Sequence, residues 1–282
     1  MQRENHVVGN TFVYRYAHPE PDHVLLVQHG IGGHGGVYDP FGAHYAGLGA
    51  EVWCMDAPGH GMSRIAQVRP AGRFTLEEWV EAAVEVAEHI NETTGLPVFI
   101  KGSSLGAAAA YGAYAASDVF TGAVLMGYAI PSSPMIPADN SFRTNAFEQL
   151  IAQFGDALLL DIDRFYDLDL DYGYKGARQQ KREDPLNTWA YELSSVGSLM
   201  RYEPTVPLAE NTKPILFTVG EKDPVFTPDI ARSVVAATGG PVQLHVHPGG
   251  VHQLMIFHTS DYSAVVSEWC RKRLTRPAAE AA

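Results

Sequence analysis

The chain has 282 residues, enough for one large α/β domain with an insertion and a substantial core. Its 20 Lys plus Arg against 32 Asp plus Glu leave a net charge of -12, which repels phosphate backbones and anionic bilayer surfaces and argues against a nucleic-acid partner. Two cysteines, Cys54 and Cys270, make no disulfide framework, and no stretch reaches the ~18 consecutive apolar residues of a membrane span. With no apolar leader in Met1 to His6, the expectation is a cytoplasmic protein without an integral membrane segment.

In chain order, His6 to Val8 and Phe12 to Tyr16 flank the turn pair Gly9-Asn10 and predict an antiparallel edge hairpin. Val24 to Val27 is a continuous apolar run, as expected of a strand covered on both faces in a parallel sheet. It leads into the glycine-rich loop His29-Gly30-Ile31-Gly32-Gly33, then a helix with Tyr38, Phe41, Tyr45 and Leu48 on one face, then a strand over Val52 to Met55. Thr75 and Glu78 form a capping box opening a long amphipathic helix, stopped by Gly95 and Pro97.

Val98 to Ile100 reads as a buried strand and Ala107 to Ala116 as a helix, so Gly102-Ser103-Ser104-Leu105-Gly106 is a strand-to-helix turn. That is the setting of a nucleophile elbow, with Ser104 raised above the sheet and small residues two before and two after it. Further strands are predicted at 123–126, 214–219 and 242–246, with helices near 228–237 and up to Leu274. The alternation marks a doubly wound α/β domain with its chemistry at the carboxyl ends of the strands.

Residues 131–203 break the alternation and predict a cap inserted into a core made of 1–130 and 204–276, with 277–282 as a disordered tail. The insertion carries aromatics (Phe142, Phe147, Phe154, Phe165, Tyr166, Tyr172, Tyr174, Trp189, Tyr191) and the acidic series Asp161, Asp163, Asp167, Asp169 and Asp171. An apolar-lined pocket with a polar exterior would use both, although the aromatics could equally make a small core of their own.

A nucleophilic serine needs a base and an orienting acid, and in an elbow fold these follow in the order Ser, Asp or Glu, His, in loops after later strands. Asp223 and His252 stand at those places, with Glu221 the competing acid and His258 the competing base. His245 and His247 alternate along a strand and with His252 could suggest a metal site, but no carboxylate or cysteine shares that spacing, so no metal is expected. The backbone N–H groups of Ile31 and Leu105 are placed to receive a developing oxyanion, with His29, Gly30 and Gly32 supporting the first of them.

His29-Gly30-Ile31-Gly32, Asp56-x-x-Gly59-His60-Gly61-x-Ser63, Gly102-Ser103-Ser104-Leu105-Gly106, Val219-Gly220-x-x-Asp223 and the late His252 together resemble the α/β-hydrolase superfamily. The chain is most similar to its monoacylglycerol lipase and lysophospholipase-like branch, a likeness that Asp184-Pro185-Leu186 shares. The resemblance implies a mostly parallel eight-stranded sheet with an inserted helical cap. It also implies Ser104 as nucleophile, Asp223 and His252 as its partners, and Ile31 and Leu105 as oxyanion donors.

The activity it implies is hydrolysis of a small-molecule carboxylic ester, monoacylglycerol-like or another small to medium acyl ester, without a cofactor. The same triad could serve a lactone, an amide or a carbon–carbon bond, and a non-catalytic binding protein on this fold is the reading of another class. A serine at the elbow argues against dehalogenase or epoxide hydrolase chemistry, which places a carboxylate there. His34-Gly35 departs from the family loop His-Gly-x-Gly-x-His-Ser and predicts a more flexible loop. The acidic cap lacks a plainly apolar amphipathic helix, which favours a soluble ester over membrane-bound lipid.

Overall fold

The computed structural model describes residues 3–128, 145–164 and 167–274, without the side chains of Asn145 and Arg164. Phe142, Phe165, Tyr166 and the expected 277–282 tail lie outside the described residues.

The hairpin β1 (Arg3–Val8) and β2 (Thr11–Tyr16) opens the chain. There follow β3 (Val24–Gln28), α1 (Asp39–Ala46), β4 (Glu51–Met55), the short α2 (Ser63–Ala66), α3 (Leu76–Thr94), β5 (Val98–Ser103), α4 (Leu105–Ala116) and β6 (Phe120–Met126). The chain then leaves the sheet for an insertion of short pieces: α5 (Asn145–Phe154), β7 (Leu159–Asp161), α6 (Leu168–Tyr172), α7 (Ala177–Arg182), β8 (Ala190–Glu192) and α8 (Leu193–Arg201). It returns through β9 (Ile215–Gly220), α9 (Pro228–Ala236), β10 (Val242–His247), α10 (Leu254–Phe257) and α11 (Thr259–Leu274).

Eight strands form one sheet in the order β1-β2-β4-β3-β5-β6-β9-β10, parallel except for the antiparallel pairings of β2 with β1 and β4. β7 and β8 pair separately. Period-two alternation explains the layers. Val24 and Leu26 of β3, with Val98 and Ile100 of β5, face α3, α4 and α9. Leu25, Val27 and Phe99 face α1, α10 and α11 on the other side. Strand order reverses beside β3, which sends β4 to one side and β5 to the other, so the loops after β3 and β5 part to open a crevice at the carboxyl edge.

The capping box forms as expected: Thr75 Oγ1 accepts from the Glu78 amide, Glu78 accepts from the Thr75 amide, and Gly95 closes α3 at φ 65°. The terminal helix is instead two, broken at His258. A third cluster joins insertion to core, with Phe147, Tyr191, Leu193 and Leu199 packed on Trp79, Leu105 and Ala108. Among the described residues no helix is long and apolar enough to cross a membrane.

Candidate active site

Ser104 stands between β5 and α4 with φ 54° and ψ -122°, a strained conformation for a residue with a Cβ. Its amide donates to the Met126 carbonyl (2.8 Å), which holds the turn against the end of β6. The neighbouring glycines are dictated by space. A Cβ on Gly102 would collide with the Gly106 carbonyl, and one on Gly106 with the His29 carbonyl. Strand, helix and glycine-rich loop therefore meet with no room for a side chain at either position.

Asp223 and His252 leave the loops after β9 and β10 and meet at the same edge of the sheet. His252 Nδ1 lies 2.7 Å from Asp223 Oδ2, with both side chains nearly excluded from solvent. Asp223 Oδ1 accepts from the amides of Val225 (2.9 Å) and Phe226 (2.8 Å), which fix the carboxylate, and the Phe226 ring stacks on the imidazole. The competing residues lie elsewhere. Glu221 accepts from the Gly249 amide in an exposed turn, and His258 packs its ring on His247.

Burial alone would lower the His252 pKa, but Asp171 and Asp223 outweigh it and hold it above the ordinary histidine value. Nε2 is 3.7 Å from Asp171 Oδ1. Among the described residues no hydrogen bond joins Ser104 Oγ to His252. The two sides still share one wall: Ser104 is tied to Met126, and the next residue, Gly127, lies against the His252 ring.

The amides of Ile31 and Leu105 donate to no described residue. The loop carrying Ile31 is held from three directions. His29 Nδ1 donates to the Gly30 carbonyl (2.8 Å) while its Nε2 accepts from the Ala57 amide (3.0 Å), and burial keeps the ring neutral. The Gly32 amide donates to Tyr191 Oη (2.8 Å), which also meets His60 Nε2 (2.7 Å), and the Thr188 amide donates to the Gly32 carbonyl (2.9 Å). His34 and Gly35, expected to loosen the loop, are pinned instead: His34 Nε2 meets Asp184 Oδ2 (2.9 Å) and the Gly35 amide donates to Asp56 Oδ1 (2.6 Å). These partners are 21 and 150 residues away in sequence, so local composition gave no sign of them.

The acidic series of the insertion is not one exterior patch. Asp161 and Asp163 pair with Arg182, Asp167 caps α6, and Asp169 accepts from the Gly176 and Arg178 amides. Asp171 is 5% exposed and turned to His252. Sequence reasoning missed it, as it missed Tyr191, because neither stands in a motif. Among the described residues no group of three or more His, Cys, Asp or Glu side chains is arranged to hold a metal ion.

Comparison with known proteins gives the same fold. A carboxyl esterase structure from Bacillus coagulans superimposes with a TM-score of 0.80 at 18% identity, covering 97% of this chain and 99% of that one. A monoglyceride lipase homolog from monkeypox virus is 29% identical over 148 residues, 49% of this chain and 49% of that protein. Human monoglyceride lipase is 31% identical over 108 residues, 36% of this chain and 34% of that protein. The chain thus matches half or less of the length of these curated relatives. The family model described as serine aminopeptidase, S33, matches residues 19–257, and the chain belongs to that family of α/β-hydrolases, resembling its monoglyceride lipase-like branch.

Proposed function

We propose that the protein is a serine hydrolase that cleaves a carboxylic ester, monoacylglycerol-like or another small to medium acyl ester, with 131–203 as a cap over the site. The observation that carries this reading is the buried Asp223–His252 pair at the strand edge where Ser104 sits strained on its elbow. His252 Nε2 takes the Ser104 proton as Oγ attacks the ester carbonyl, and the negative oxygen is received by the Ile31 and Leu105 amides. Collapse of the tetrahedral intermediate breaks the bond to the alcohol oxygen, which leaves with the proton from Nε2. Water, deprotonated by the same nitrogen, then releases the acid and restores Ser104. Asp223 keeps the Nδ1–H tautomer and stabilises the imidazolium throughout.

The family description makes an amide bond the second reading. A panel of esters and anilides of matched acyl length separates the two. The reading itself is tested by exposing the protein and Ser104→Ala to a fluorophosphonate and measuring intact mass. One adduct on the Ser104 peptide, absent from the variant, is expected. No adduct on the wild type would overturn the hydrolase reading and favour a binding protein on this fold.

A further inference from the structure

Asp171 belongs to neither the elbow nor the Asp223–His252 pair, yet it stands at the reactive nitrogen. It lies on α6 of the insertion, with Oδ1 3.7 Å from His252 Nε2 and Oδ2 3.4 Å from Gln253 Nε2. In the tautomer that accepts a proton, Nδ1 carries the hydrogen and faces Asp223, so Nε2 turns a lone pair toward the Asp171 carboxylate. That contact is repulsive until positive charge arrives.

Of the other charged groups nearby, two carboxylates are held by other partners. Asp223 is held by two amides and His252, and Asp184 by His34. Lys181 rests its ammonium over the Tyr172 ring at 4.7 Å and, from beyond salt-bridge distance, this buried cation also attracts Asp171 and Asp184. Within salt-bridge distance, the partner of the buried Asp171 carboxylate among the described residues is the histidine that must be neutral to act, and Lys181 offsets its charge only from farther away.

Substrate geometry follows from the proton path. Nε2 must come within hydrogen-bond reach, about 3 Å, of the departing alcohol oxygen, so the alcohol's substituent passes beside the carboxylate that flanks the same nitrogen. We propose, on the basis of the ester hydrolase reading above, that Asp171 determines specificity by selecting esters whose alcohol carries a cationic ammonium group over neutral esters of the same shape. The attraction acts through a poorly hydrated site, where one full charge is weakly screened.

The test compares choline butyrate with 3,3-dimethylbutyl butyrate, which share acyl group and shape and differ by one charge, at pH 8. Wild type is expected to favour the choline ester in kcat/KM by about tenfold or more. Asp171→Asn should bring the ratio of the two esters close to one, and Asp171→Glu should retain part of the preference. An unchanged ratio in Asp171→Asn, or a wild type indifferent to charge, overturns the proposal.

Should Asp171→Asn fail to fold, product inhibition of the wild type decides instead: choline must inhibit more strongly than 3,3-dimethylbutanol, and equal inhibition overturns the proposal. Ser104 labelling run alongside keeps the two readings apart. No labelling and no turnover of either ester removes the hydrolase reading and this inference with it, whereas labelling with charge-blind turnover removes this inference alone.

Discussion

The sheet core and the insertion solve different problems with different chemistry. In the core, strands β3 to β6 are buried almost without interruption, and side chains interleave from both faces. The insertion is a chain of short helices and one two-stranded ribbon, with Phe154, Leu159, Leu170 and Tyr174 exposed. It is held to the core by the packed cluster around Tyr191 and by particular polar links. Ser195 Oγ and Ser198 Oγ accept from the Phe74 and Leu76 amides, Glu192 pairs with Arg73, and Asp184 with His34. The core thus fixes the groups proposed to do the chemistry by close packing, while in the proposed reading the insertion sets what lies beside them. Close packing resists change over its whole extent, whereas a polar link can be altered one residue at a time.

The comparison breaks most visibly at the elbow. Gly106→Val puts a branched side chain into the His29 carbonyl, and should cost more than about 4 kcal/mol or abolish folding, read as loss of soluble protein or of the urea midpoint. Asp223→Asn should leave the midpoint within about 2 kcal/mol of wild type yet lower kcat by about 10⁴, through the wrong histidine tautomer. Glu221→Gln should change kcat by less than about threefold. A large loss in Glu221→Gln with little in Asp223→Asn would reverse their proposed roles.

Lys101 tests the core from another direction. Its ammonium is fully buried between the Tyr262 and Phe41 rings with Met126 Sδ at 3.9 Å, and burial lowers its pKa from 10.5 to about 7. Between those values the unfolded chain holds a proton that the folded chain has lost. The destabilisation is therefore complete below about pH 7 and fades as pH rises toward 10.5. Lys101→Met should raise stability by about 1–3 kcal/mol at pH 7 and by progressively less toward pH 10.5. Denaturation midpoints across that range check the sign.

Two smaller effects probe the insertion. Tyr191→Phe removes the acceptor of the Gly32 amide and the partner of His60, and should cost about 1–2 kcal/mol. It should lower kcat more than it raises KM, because it loosens the loop that presents Ile31. The acid limb of kcat/KM should lie above the ordinary histidine value, since activity falls as His252 takes a proton and the two carboxylates favour that proton. Asp171→Asn should move the limb to lower pH, and an unmoved limb would show that the insertion does not reach the base electrostatically.

Much of the core was legible because its signals are local. Val24 to Val27 announces a strand covered on both faces, Thr75 and Glu78 a helix start, and Gly102 to Gly106 a turn where backbone approaches backbone. Asp223 and His252 could be chosen by their order and loop position, since connectivity alone sends those loops to one edge. The sequence by itself therefore determined the layer architecture, the elbow and the candidate triad. What only tertiary structure decided is which polar residues of the insertion turn inward. Asp171 has the same local spacing as Asp167 and Asp169, which cap and brace helices, and it alone of the three lies against His252. The physical reason is that a charge's role depends on distance and burial, and residues 171 and 252 become neighbours only once the insertion has docked.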